Sequence, residues 1–126
     1  MTTTPGTIPA SEALPLEGLI AFTEGGIASR VLAKSGGGNL TLFAFDRGQG
    51  LSEHATPFDA LVMVLAGELS LTIGGTAVTA TPGTIVRMPA NVPHAVDATV
   101  ASRMLLVMLR EPKPAAHAAE YPSSGV

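Results

Sequence analysis

Hydrophobic and polar positions along the chain form short segments with a repeat of two, the pattern of β-strands. Residues 68–73 alternate between apolar and polar side chains. Gly74 and Gly75 follow directly, and residues 76–80 return as a second strand-like segment. Because a glycine pair supplies the positive φ angles of a two-residue turn, we predict a β-hairpin over residues 68–80.

Residues 60–66 differ, because every position in this segment is apolar. A strand with one face in water alternates, so both faces of this strand are predicted to be covered. Further strands are predicted at residues 27–33, 40–45, 84–88, 94–97 and 101–110, with a short one at 16–22.

The complete pattern predicts an all-β protein. It contains about nine to eleven short strands separated by glycine and proline turns, with no amphipathic helix. Such a pattern is typical of a sandwich or barrel. The length of 126 residues fits one domain, in which residues 16–111 are predicted to form the barrel. Residues 1–15 are predicted to be a flexible arm or an edge strand on a neighbouring subunit, and residues 112–126 a flexible tail.

Composition adds a prediction about partners. Hydrophobic residues make up 46% of the chain and charged residues 13%, so few charges are available to coat the surface. We therefore expect a second copy of the chain to cover part of the apolar surface, giving a homodimer. The net charge is -3 and the seven cationic residues are scattered, which argues against a nucleic-acid partner.

Cysteine is absent, which excludes disulfides, thiolate metal sites and cysteine nucleophiles. The first residues lack the basic and apolar regions of a signal peptide, and no apolar run approaches membrane-spanning length. We expect a cytoplasmic protein without a membrane partner.

Two segments resemble the motifs of the cupin family. The segment from Gly48 to Gly67 is similar to the first motif, G-x5-H-x-H-x3-4-E-x6-G, and that from Gly83 to Ala98 to the second, G-x5-P-x-G-x2-H-x3-N. The resemblance is to small single-domain cupins. It implies a double-stranded β-helix, or jelly-roll barrel, that is often dimeric and holds a metal inside.

The family usually binds its metal through two His and a Glu or Gln of the first motif and one His of the second. Aligned on the motifs, His54 and His94 fall on ligand positions. Thr56 stands where the second His belongs, and Ala60 where the Glu or Gln belongs. The resemblance therefore implies a depleted ligand set of two imidazoles, whereas stable sites usually have three or four protein ligands. Asn91 stands in for a glycine of the second motif.

Asp59 is a candidate third ligand, one residue before the depleted carboxylate position. Strand alternation would turn it away from the interior unless a bulge near Pro57 re-aims it. Phe58, Thr56 and Ala60 are candidate pocket residues. Four methionines, Met63, Met88, Met104 and Met108, could line a soft apolar pocket or simply pack in the core.

Two functions follow from the resemblance. The first is a metal-dependent enzyme acting on a small molecule in the barrel, with Zn, Fe, Mn or Ni as the candidate cofactor held by His54 and His94. The alternative is a metal-free cupin that binds a small molecule, in which the two imidazoles are polar anchors in an apolar pocket. His117, in the predicted tail, is interpreted as a solvated residue without function.

Overall fold

The structure, a computed structural model, describes residues 2–4 and 7–110, with side chains from residue 7. Within these residues, ten strands form two sheets that face each other. They are β1 (Thr2–Thr4), β2 (Ile27–Ser35), β3 (Gly38–Phe45), β4 (Gly50–His54), β5 (Asp59–Ala66), β6 (Leu69–Ile73), β7 (Thr76–Ala80), β8 (Ile85–Met88), β9 (His94–Ala98) and β10 (Ser102–Leu109).

The six-stranded sheet has the order β1-β2-β3-β10-β5-β8, and the four-stranded sheet the order β4-β9-β6-β7. All neighbours pair antiparallel except β1 and β2, which pair in parallel. Two facing, mainly antiparallel sheets with crossovers between them are the architecture of a jelly roll. The predicted all-β barrel is therefore confirmed.

The main core lies between the sheets and comes from the inward side chains of both. It contains Phe43, Phe45, Ala60, Val62, Val64, Leu69, Leu71, Ala80, Met88, Val96, Ala98, Met104 and Leu106.

Strand β5 shows how one apolar segment serves two surfaces. Ala60, Val62 and Val64 are buried in the core, while Leu61 and Met63 lie half-buried on the outer face of the six-stranded sheet. Pairing is continuous from Asp59 to Val64, and the register shifts only beyond Val64, so alternation is strict over these residues. The apolar pattern thus gives β5 a fully covered inner face and a partly covered outer one.

A second, smaller cluster covers part of that outer face. Ile20 of the N-terminal segment packs with Leu32 and Leu42, and Leu19 joins at its edge. The strand predicted at 16–22 is wrong, because residues Leu16–Gly18 form a 3-10 helix. The Gly18 N–H donates to the Pro15 carbonyl and the Leu19 N–H to the Leu16 carbonyl, which turns the chain back on the sheet.

The predicted hairpin is confirmed. Strands β6 and β7 pair from Leu69↔Ala80 to Ile73↔Thr76, and only Gly74 and Gly75 lie between them. Their φ angles are 57° and 84°, both in the left-handed region that a two-residue primed turn requires.

The ends of the chain are described in part. Residues Thr2–Thr4 form the edge strand β1, and Ile8 donates its N–H to the Leu32 carbonyl at 3.0 Å. Residues 111–126, with the predicted tail and His117, lie outside the described residues. The division into arm, barrel and tail stays a prediction. Among the described residues, no helix is long and apolar enough to span a membrane.

Candidate functional site

A β-bulge in β4 brings the two histidines together. Gly50 pairs with Asp97 and Leu51 with Val96, but the register then shifts and His54 lies opposite His94. Without the shift Glu53 would face His94. A one-residue slip exchanges the two faces of a strand, so the bulge turns His54 to the barrel side.

The imidazole rings of His54 and His94 meet edge to face. Their centroids are 4.5 Å apart and their planes lie 68° apart. Two residues separated by forty positions in sequence thus form one cluster at the junction of β4 and β9. The predicted inward-facing pair is present.

Backbone carbonyls fix the tautomer of both rings. The Nδ1 of His54 lies 2.9 Å from the Ser52 carbonyl oxygen, and the Nδ1 of His94 lies 3.2 Å from the Val92 carbonyl oxygen. A carbonyl only accepts, so each Nδ1 carries the proton and donates it. Each neutral ring therefore keeps its lone pair on Nε2, the arrangement that orients metal-binding histidines in proteins.

The two rings differ in their exposure. His94 is 3% exposed, whereas His54 lies at the surface, so the pair runs from the interior to the rim. Burial lowers the pKa of His94 below its ordinary value of 6.5, and the neighbouring His54 acts in the same direction. The bond to the Val92 carbonyl opposes both effects. His94 is therefore held in the neutral form that can coordinate or accept a proton.

A small cavity lies beside the pair. Its volume is about 40 Å³, room for a few waters and far below the size of a drug-sized ligand pocket. Apart from the two histidines its lining is largely apolar, and none of the described carboxylates contributes to it. The lining residues are Leu51, His54, Thr56, Ala60, Met88, His94, Val96, Met104, Leu106 and Met108.

Two of the predicted pocket residues, Thr56 and Ala60, line this cavity. The Thr56 hydroxyl donates to the Phe58 carbonyl at 3.0 Å, so its proton is used within the loop that joins β4 to β5. Ala60 is 3% exposed and offers no donor atom. Both positions point at the barrel interior, as the motif alignment implies, but neither supplies a strong metal ligand.

Asp59 does not line this cavity. Its carboxylate forms an ion pair with Arg87 at 3.0 Å and accepts the Ala90 N–H at 2.8 Å. The Ala90 N–H bond and the Arg87 guanidinium lower the pKa of Asp59 below 3.8. The Asp59 carboxylate thus lies away from the histidine cavity, because alternation at the start of β5 turns it to the opposite face from Ala60.

Phe58 lies with Asp59 outside the barrel. The two line an open depression of about 550 Å³, whose other lining residues include Ala90 and Arg110. The Arg110 guanidinium lies 5.2 Å from the centre of the Phe58 ring, within cation-π range. Phe58 is therefore not part of the lining of the histidine cavity.

Hydrogen bonds join the loop that leads to His94 to the loop between β4 and β5. The sequence patterns did not predict this connection. The Asn91 N–H donates to the Thr56 carbonyl at 2.7 Å, beside the bond from Ala90 to Asp59. At the other end the Gly74 N–H donates to the Pro93 carbonyl at 2.8 Å. These bonds fix the approach of the chain to His94.

The four-ligand set expected for the family does not fit these residues. Among residues 2–4 and 7–110, no group of three or more His, Asp or Glu side chains could hold a metal. The cavity instead offers two imidazoles and three thioethers, from Met88, Met104 and Met108. The fourth predicted methionine, Met63, lies on the outer face instead.

Comparison with solved structures identifies close relatives of this fold. A conserved protein of unknown function from Streptococcus pyogenes is 30% identical with a TM-score of 0.80, over 86% of this chain and 95% of that one. A cupin superfamily protein from Desulfitobacterium hafniense is 29% identical with a TM-score of 0.78, over 84% and 97%. A cupin 2 conserved barrel domain protein from Leptotrichia buccalis is 34% identical with a TM-score of 0.72, over 75% of this chain and 46% of that one.

No curated protein matches the chain. The family model described as "Cupin domain" matches residues 41–109, which span β3 to β10 and include both histidines. With this match over more than half of its length, the chain belongs to the cupin family.

Proposed function

We propose that this cupin binds a metal ion through His54 and His94 and acts on a small molecule at the remaining coordination positions. The observation that carries the proposal is the spacing of the two rings and the hydrogen bonding of their Nδ1 atoms. They stand 4.5 Å apart with both Nδ1 atoms bonded to carbonyls, which leaves both Nε2 lone pairs available. A pair oriented in this way is what a metal site requires of its imidazoles.

The residues and the small cavity around the histidine pair limit the reaction that a bound metal could support. A bound metal with open positions would supply Lewis-acid activation of water or of a substrate oxygen. The chain itself contributes the neutral His94 in the interior and the accessible His54 at the rim. Because the cavity is only about 40 Å³, it admits a few atoms, so the substrate enters with a narrow end past His54.

Metal analysis tests the proposal. The untagged protein is loaded with each candidate ion, namely Zn, Fe, Mn, Ni and Cu, then desalted and analysed for bound metal. We expect close to one ion per chain for at least one metal, with loss of binding in both His54→Ala and His94→Ala. His117→Ala is the matched control, since it removes an imidazole from outside the described residues. Retention of the metal in both site variants would contradict the proposal.

A second function is favoured by the lining of the cavity. Thr56 and Ala60 take the places of two ligands and leave a pocket wall that is mostly apolar. This supports a metal-free module that binds a small, largely apolar group, with the imidazoles as polar anchors. If no ion binds under any loading condition, and a small apolar probe shifts the NMR signals of the cavity residues, the second function is supported instead.

A homodimer is proposed on separate grounds. On the outer face of the six-stranded sheet, Met63 pairs with both Ile85 and Leu105, which forms an apolar row across β8, β5 and β10. Ile85 is 59% exposed, at the free edge of the sheet. A second copy of the chain would cover this row. Light scattering should give twice the chain mass, with dissociation in Ile85→Lys; a monomeric wild-type protein would refute the proposal.

The cytoplasmic location stays a prediction.

A further inference from the structure

Three methionine side chains share the cavity with the histidine pair, although the chain contains only five methionines. Met88 lies at the end of β8, and Met104 and Met108 lie on the inward face of β10. Met88 is 3% exposed and Met104 is 0% exposed, so their thioethers are shielded from water. The histidines are on the opposite, four-stranded sheet.

The register of the six-stranded sheet places two of these methionines around Ala60. Met88 and Met108 are each the direct cross-strand partner of Ala60, from β8 and β10 respectively. Direct partners in antiparallel strands share a face, so the three form a row Met88–Ala60–Met108 on the inward side. At the position of the depleted carboxylate ligand the chain therefore has a methyl group flanked by two thioethers.

The charge of the cavity disfavours a hard divalent ion. Among the described residues, its lining holds two imidazoles, three thioethers and no carboxylate, so a doubly charged ion would have no compensating negative charge there. The cost of burying an ion rises with the square of its charge, so a monovalent ion suffers far less. Thioethers are soft ligands that select cuprous copper, and imidazole also binds copper.

We propose that His54, His94 and the thioethers of Met88 and Met108 form a site for a soft monovalent cation, Cu(I). This inference rests on the proposed metal binding by the histidine pair, and it names the class of metal. Cu(I) is stable with as few as two or three ligands, so the two imidazoles and a thioether suffice for it and leave a coordination position for a small molecule. The ion binds and leaves as Cu(I), with no change of oxidation state.

A competition titration tests the inference. The intact protein is titrated without oxygen with Cu(I) supplied as its bicinchoninate complex, and Zn binding is measured in parallel. We expect one Cu(I) per chain, and Met88→Leu combined with Met108→Leu should lower the Cu(I) affinity by about tenfold or more. The zinc affinity should change by less than about twofold, since thioethers are poor zinc ligands. Met63→Leu is the matched control, because Met63 lies on the outer face.

The outcomes separate the inference from the proposed function. Leucine conserves the volume of methionine, so the double variant is expected to fold. If divalent ions bind through the histidines and the double variant retains its Cu(I) affinity, metal binding stands and the inference is overturned. If neither Cu(I) nor a divalent ion binds the wild-type protein, both fail. X-ray absorption of the wild-type complex is independent of any variant: copper–sulfur scattering supports the site, and its absence overturns it.

Discussion

The carboxylate of Asp59 accepts a hydrogen bond from the backbone N–H of Ala90 at 2.8 Å. This bond ties the start of β5 to the loop that leads to His94, and the bond from Asn91 to the Thr56 carbonyl runs beside it. Asp59 thus acts on the site through the backbone, as a positioning residue for His94.

Asp59→Ala should weaken metal binding without abolishing it. Removal of the carboxylate frees the Ala90 N–H and loosens the loop, whereas both imidazoles remain. We expect a lower melting temperature and a metal affinity between those of the wild type and His94→Ala. Arg87→Gln is the matched control: it removes the exposed ion pair but keeps the Ala90 bond, so its effect should be small. A loss of affinity as large as that of His94→Ala would instead make Asp59 a ligand.

The stability of the metal-free protein should depend on pH through His94. Burial lowers the folded-state pKa of His94 below the ordinary value of 6.5, so between these two values the unfolded chain binds more protons than the folded one. Stability should therefore fall as the pH is lowered from above 6.5, and level off below the folded-state pKa. Urea unfolding in the presence of a chelator, at several pH values between about 5 and 8, measures the slope.

His94→Gln should remove this part of the pH dependence, because glutamine does not titrate. His117→Ala serves as the control and should keep it. An identical slope in the wild type and in His94→Gln would show that His94 is not the group responsible.

Asn91 has a positive φ of 63°, at the position where the second cupin motif has a glycine. Asn adopts the left-handed conformation more readily than other non-glycine residues, which explains its presence there. Asn91→Ala should destabilise the protein by about 1 kcal/mol, and Asn91→Gly should cost less. Because Asn91 is exposed, the difference reports backbone strain and not packing. Urea unfolding of the two variants measures it; equal stabilities would argue against strain at this position.

Restoring the two depleted ligands should change the metal preference. Thr56 and Ala60 both line the cavity, so Thr56→His combined with Ala60→Glu would add an imidazole and a carboxylate to the histidine pair. Four ligands with one negative charge suit Zn and other divalent ions. We expect the double variant to bind Zn more tightly than the wild type, as measured by competition with a chromophoric chelator. A folded double variant with unchanged Zn affinity would contradict the assignment of these positions.

Strands β2, β3 and β5 to β10 and the hairpin could be predicted from the sequence because their signals are local, whereas β4, at Gly50–His54, was missed. A period of two and a glycine pair can each be recognised within a few residues, and the bounds of β5 to β7 lie close to the predicted ones. The 3-10 helix at Leu16–Gly18 was predicted as a strand, since apolar residues at 16, 19 and 20 fit either structure. Its packing against the outer face of the sheet depends on residues far along the chain.

The candidate site was predictable only in part. The motif positions and strand parity placed His54, Thr56, Ala60 and His94 on the inside, and the structure places all four around one cavity. The bulge that sets His54 opposite His94 could not be read from the sequence, because it depends on pairing between β4 and β9. For the same reason, the row of methionines around Ala60 became visible only with the register of three strands.

Gly67 and Ser102 form a close contact that should be essential for stability. Ser102 is 0% exposed; its hydroxyl accepts the Glu68 N–H at 3.0 Å and shares its proton between the carbonyls of Val100, at 2.8 Å, and Glu68, at 3.1 Å. Gly67 has a φ of 79°, and a Cβ on it would collide with the Ser102 hydroxyl and the Ala101 carbonyl. The contact joins the end of β5 to the start of β10.

Ser102→Ala should cost about 1–3 kcal/mol, because it leaves the Glu68 N–H without a partner. Gly67→Ala should cost more, since it adds both a collision and an unfavourable φ angle. In the double variant the collision with the Ala101 carbonyl remains, so Ser102→Ala should rescue Gly67→Ala only in part. Ser70→Ala, at a half-buried position on β6, is the control and should have little effect. Urea unfolding measures all four variants, and full rescue in the double variant would show that the hydroxyl alone requires the glycine.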